Sequence, residues 1–103
     1  MTPVTFANAG RLGAAPGKRD ELVTQLIQHS DSLSRMGCLA YEVGVHDAHP
    51  DTVFVVELWT SAEAHQASLQ HPEVQDSIAA VRPLLSGESG GFHFDVVGSP
   101  LRE

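Results

Sequence analysis

The apolar positions of this chain follow two rhythms. Val53-Phe54-Val55-Val56-Glu57-Leu58-Trp59 is apolar on both faces of a strand, with one carboxylate set into it. A strand repeats every two residues, so Val53, Val55, Glu57 and Trp59 share one face and Phe54, Val56 and Leu58 the other. Residues 4–12 read as an earlier strand, closed by the breaker cluster Gly13-Ala14-Ala15-Pro16-Gly17. Leu22, Val23, Leu26, Ile27 and Leu33 recur at helical spacing and predict a helix from Lys18 to Ser34. Asp20 and Glu21 fall in its first turn, where the helix dipole favours negative charge, and Gly37 marks its end. Cys38 to His46 reads as a second strand with Leu39, Tyr41, Val43 and Val45 on one face. The turn Asp47-Ala48-His49-Pro50-Asp51 joins it to the 53–59 strand as an antiparallel hairpin.

Thr60-Ser61-Ala62-Glu63 has the form of a capping box opening a helix from Ala62 to Gln70, with His65 on its first turns. Pro72 opens another helical piece at its favoured first position, and Val74, Ile78, Val81 and Leu85 keep one face apolar. Pro83 ends or kinks it. Ser86-Gly87-Glu88-Ser89-Gly90-Gly91 reads as a loop, Phe92 to Val97 as the last strand, and Gly98 to Glu103 as a loose tail. The order β-α-β-β-α-β is that of a ferredoxin-like α+β sandwich, an antiparallel sheet with helices on one face. The other face, taken to hold Val53, Val55 and Trp59, is then too apolar to face water. A second copy of the sheet is the simplest cover, so a homodimer is expected.

At 103 residues the chain is expected to be one domain, residues 1–103 with a core of about 4–97. No run approaches the roughly 20 apolar residues of a membrane helix, and Met1-Thr2-Pro3-Val4 lacks the basic start of a signal peptide. The lone Cys38 excludes an internal disulfide and fits a reducing cytoplasm. A net charge of −7 with six scattered basic side chains argues against nucleic-acid and anionic-membrane partners. Six histidines make the charge responsive near neutral pH.

A carboxylate in an apolar strand is costly unless paired, so Glu57 is read either as a structural partner, for instance of Arg11, or as a residue of a site. Trp59 is either packing or a platform for a flat ligand. His71 precedes Pro72 as a helix cap, and His93, between Phe92 and Phe94, faces a cavity or the helices. His46 and His49 have a metal-like spacing but no further ligand beside them, so no metal is expected.

Pro16-Gly17-Lys18-Arg19-Asp20-Glu21-Leu22, Gly37-Cys38-Leu39-Ala40-Tyr41-Glu42-Val43, Val55-Val56-Glu57-Leu58-Trp59 and Glu63-Ala64-His65 occur in that order. Together they resemble the antibiotic biosynthesis monooxygenase domain of the quinol monooxygenase type, over nearly the whole chain. The resemblance implies a dimeric α+β barrel with a pocket in each subunit. Many relatives carry histidine where this chain has Ser68, and another where it has Glu73; His65, one helical turn before Ser68, is the proposed substitute. The heme-degrading branch is disfavoured, since its positions look like Gly10, Ser68 and Ile78 here. The implied activity is a monooxygenation of an electron-rich aromatic, with molecular oxygen as co-substrate and no cofactor. Its catalytic residues would be His65 as base and Trp59 as stacking wall, with Asn8, Tyr41, Ser68 and Glu57 binding substrate. The rival expectations are a non-catalytic protein that binds a small hydrophobic molecule, and an oxygen-independent isomerase.

Overall fold

The computed structural model describes residues 5–102; Val4, where the first strand was expected to begin, and Glu103, at the end of the expected tail, lie outside them. Strands β1 (Thr5–Ala14), β2 (Cys38–Gly44), β3 (Thr52–Trp59) and β4 (Leu85–Val96) form one antiparallel sheet in the order β2-β3-β1-β4. Helices α1 (Arg19–Leu26) and α2 (Ser32–Arg35) join β1 to β2. Helices α3 (Ala62–Ser68) and α4 (Pro72–Val81), with a 3-10 turn at Arg82–Leu84, join β3 to β4. This is the expected ferredoxin-like α+β fold. Among the described residues no helix is long and apolar enough to cross a membrane.

The expected helix from Lys18 to Ser34 is two helices. Gln28-His29-Ser30-Asp31 leaves the helical path between them. Serine and aspartate are weak helix formers, and in this break the exposed His29 Nε2 lies 2.7 Å from Asp31 Oδ1. The capping box also moves by one residue: Ser61, not Thr60, is the cap of α3, its Oγ accepting from the Ala64 N–H at 3.0 Å. The cap of α4 is His71, as expected, whose Nδ1 accepts from the Glu73 N–H. β2 stops at Gly44, and a bulge between Cys38 and Ala40 breaks its alternation, which leaves Leu39 exposed.

The expected loop 86–91 is the first half of a long β4. Its register with β1 runs from Thr5↔Val96 to Leu12↔Ser89, then shifts to Ala14↔Leu85. Glycine is needed at position 91 rather than merely tolerated. Gly91 has φ +142°, and a Cβ on it would collide with the Ala9 carbonyl and Gly10 Cα. A Cβ on Gly90 would lie 2.6 Å from Cζ of Arg11, whose side chain lies over it.

The helix side of the sheet is the reverse of the one expected. Val53 and Val55 of β3 lie in the core with Leu22 of α1, Val81 of α4 and Ala14 of β1. Trp59 is 2% exposed on the same face. The uncovered face carries Phe54, Val56 and Leu58 of β3, beside Phe92 and Phe94 of β4, which are 66% and 48% exposed. Alternation sorts β3 into two apolar faces. Leu22 and Val81, arriving from distant helices, decide which of the two is covered.

Candidate active site

The antiparallel registers place four polar residues in one row across the sheet. Tyr41 of β2 stands opposite Glu57 of β3, Glu57 opposite Asn8 of β1, and Asn8 opposite His93 of β4. The row is on the helix side, because it lies between Val55 and Trp59 in the alternation of β3. On one flank the next row is Val43, Val55, Gly10 and Gly91. Its two glycines have no side chains and leave space above the sheet. On the other flank are Trp59, Phe6 and Asp95.

A cavity of about 380 Å³ opens here, with Asn8, Tyr41, Val55, Glu57, Ser89 and His93 among its walls. That volume suits a small planar ligand. Trp59, expected as its stacking wall, is not among the lining residues.

Glu57 is the centre of the row. Its Oε2 accepts from Asn8 Nδ2 at 3.0 Å and its Oε1 accepts from Trp59 Nε1 at 3.1 Å. Both oxygens are thus held by neutral donors. Arg11, offered as a partner from sequence, faces the other side of the sheet opposite Phe54 and Gly90. The Tyr41 phenol is pushed up to about 12 by burial, and then by the charges of Glu57 and Cys38. It therefore stays protonated at neutral pH and can act only as a neutral hydrogen-bond group. No protein group bonds its hydroxyl among the described residues, so it is free to donate into the cavity. Cys38 sits opposite Trp59; burial and the Glu57 charge push its thiol up, against a smaller lowering effect of its contact with the Ala40 carbonyl. A thiol raised in this way is a poorer nucleophile than a free one.

Three of the six expected site residues, Asn8, Tyr41 and Glu57, thus meet at the cavity. The others stand behind or beside it. Trp59 is a support: its N–H fixes Glu57, and its ring meets the His65 ring edge-on at 5.3 Å. His65 packs between Trp59 and Phe6, 5.4 Å from the Phe6 ring centre. Ser68 is buried, and its hydroxyl donates to the His65 carbonyl at 2.6 Å. His93 is the wall residue that sequence reasoning left undecided. Its alternation with Phe92 and Phe94 was the available signal, and only the register with Asn8 resolves its side. In the hairpin turn, His46 Nδ1 accepts from the Ala48 N–H and holds the turn.

The family model described as Antibiotic biosynthesis monooxygenase matches residues 5–80. A solved structure from Chloroflexus aurantiacus bearing the same family description is 37% identical over 92% of this chain and 95% of that one, with a TM-score of 0.79. One from Caulobacter crescentus, also so described, is 20% identical over 93% and 92%, with a TM-score of 0.77. Another from Nitrosomonas europaea is 8% identical over 94% of each chain, with a TM-score of 0.80. The last two are likenesses of fold alone. No curated protein matches the chain significantly.

Proposed function

This chain belongs to the antibiotic biosynthesis monooxygenase family, and on that footing we propose that it oxidises an electron-rich hydroxyaromatic, of the quinol or anthrone kind, with molecular oxygen and without flavin or metal. The observation that carries the reading is the polar row Tyr41-Glu57-Asn8-His93 beneath a cavity that two glycines hold open. Deprotonation makes such a substrate an anion that can give one electron to oxygen. The carbon radical and superoxide combine to a hydroperoxide, and loss of water leaves a carbonyl. For an anthrone methylene the balance is CH2 plus O2 giving C=O plus H2O. Tyr41 and Asn8 hydrogen-bond the substrate oxygens, and Glu57 orients Asn8. Partial enclosure limits bulk water around the anion.

The protein works as a homodimer in this reading. The uncovered sheet face, with Val56, Phe92 and Phe94 exposed, is the surface for the second copy. Its apolar side chains match an interface core better than a wetted surface.

The test is oxygen uptake by metal-free protein with menadiol or an anthrone, corrected for spontaneous oxidation. Uptake above the buffer rate that falls on Asn8→Ala supports the proposal, and uptake no faster than buffer removes it. One observation favours a second reading, a protein that binds a small hydrophobic molecule without turnover: Trp59, His65 and Ser68 do not line the cavity. Saturable binding with no oxygen uptake would establish that reading.

A further inference from the structure

We infer that His93 is the base that takes the proton from a hydroxyaromatic bound in the cavity. The inference rests on the oxygenase reading for its reaction but not for its proton transfer. Four ionisable residues line the cavity among the described residues: Arg11, Tyr41, Glu57 and His93. Arg11 faces the other side of the sheet, and a guanidinium cannot serve as a base. Tyr41 holds its proton too tightly to serve. Glu57 has one oxygen bound by Asn8 and the other by Trp59, so a proton added there would compete with donors already aimed at both oxygens. His93 is exposed on β4, directly opposite Asn8, so a proton taken there can pass on to solvent. The ring of Phe6 lies 5.5 Å from His93 and 5.4 Å from His65, and His65 is not among the residues that line the cavity. The charged groups around His93 are Glu57 in the same row and Asp95 in the next row of its own strand; Tyr41 and His65 are the titratable neighbours.

The experiment uses 1,8-dihydroxyanthrone under argon, where ionisation of the bound chromophore is read from its absorbance without turnover. The wild-type protein binds it as the anion below its solution pKa. His93→Gln binds it with similar affinity but in the neutral form, while His49→Gln in the exposed turn behaves as wild type. In air, His93→Gln lowers kcat/KM by about 10²-fold or more, in the range a positioned base supplies, and removes the acidic limb of the pH profile. Anion formation that survives His93→Gln, or that is lost instead with His65→Gln, overturns the assignment. Loss of binding in His93→Gln also overturns it, because His93 would then be a binding group. Anion formation by the wild type without oxygen uptake leaves His93 as the base and removes only the oxygenase reading.

Discussion

Tyr41 and Glu57 face one another across β2 and β3, and the carboxylate helps keep the phenol protonated. Burial is the larger cause, but the charge is the one a single substitution can remove. Glu57→Gln is therefore expected to lower the Tyr41 pKa from about 12 while leaving it above the ordinary value of 10. Tyr41 is the sole tyrosine, so a spectrophotometric tyrosinate titration reads it directly. A midpoint unchanged from wild type would show that Glu57 does not act on Tyr41.

The same shift predicts alkaline instability. The folded pKa lies above the unfolded one, so the folded state holds its proton more tightly. The associated stability is complete below pH 10, declines as pH rises, and is lost above about 12. One pKa unit corresponds to about 1.4 kcal/mol, so the loss over this two-unit shift is on the order of 3 kcal/mol. Urea denaturation between those pH values should show the decline, and Tyr41→Phe should abolish most of it.

Trp59 is expected to matter for stability before it matters for chemistry. It is 2% exposed and donates to Glu57. Trp59→Ala should cost about 3–5 kcal/mol by cavity formation. Trp59→Phe keeps most of the packing but strips a donor from a half-buried carboxylate, at about 1–3 kcal/mol. Circular dichroism melts are the suitable measurement, since the protein's only indole is removed. Equal losses for the two variants would mean that the hydrogen bond, not the packing, dominates.

The open face of the sheet predicts the assembly. Wild-type protein should run at twice 11.0 kDa in light scattering, and Phe92→Glu should release monomers that stay folded. A wild-type mass of one subunit at micromolar concentration would exclude the dimer.

Gly91→Ala should destabilise without touching a single side-chain contact. Its φ of +142° suits glycine, and the added methyl meets the backbone of β1. A loss of about 1–3 kcal/mol is expected from the backbone conformation, with more from the collision. A neutral substitution would mean that β4 can shift away from β1 at that point.

The fold was legible in the sequence because hydrophobic spacing and turn chemistry agree over most elements. Strand β3, the hairpin, His71 as a cap and Pro72 as a helix opener all follow from local rules. What failed was set by distant partners. Residues 86–91 look like a loop because glycine weakens an isolated strand, yet β1 supplies both the pairing and the close approach that make glycine necessary. Phe54, Val56 and Leu58 are as greasy as Val53 and Val55, so nothing within β3 says which set meets Leu22. The site was half visible for the same reason. Asn8, Tyr41 and Glu57 could be named from their strands, but His93 needed the register between the first strand and the last.

Each of the four groups in the polar row comes from a different strand, and the fourth is donated by the edge strand β4, which pairs with β1 alone. Loosening the β1–β4 edge would therefore part the imidazole from the other three groups, whatever the row binds.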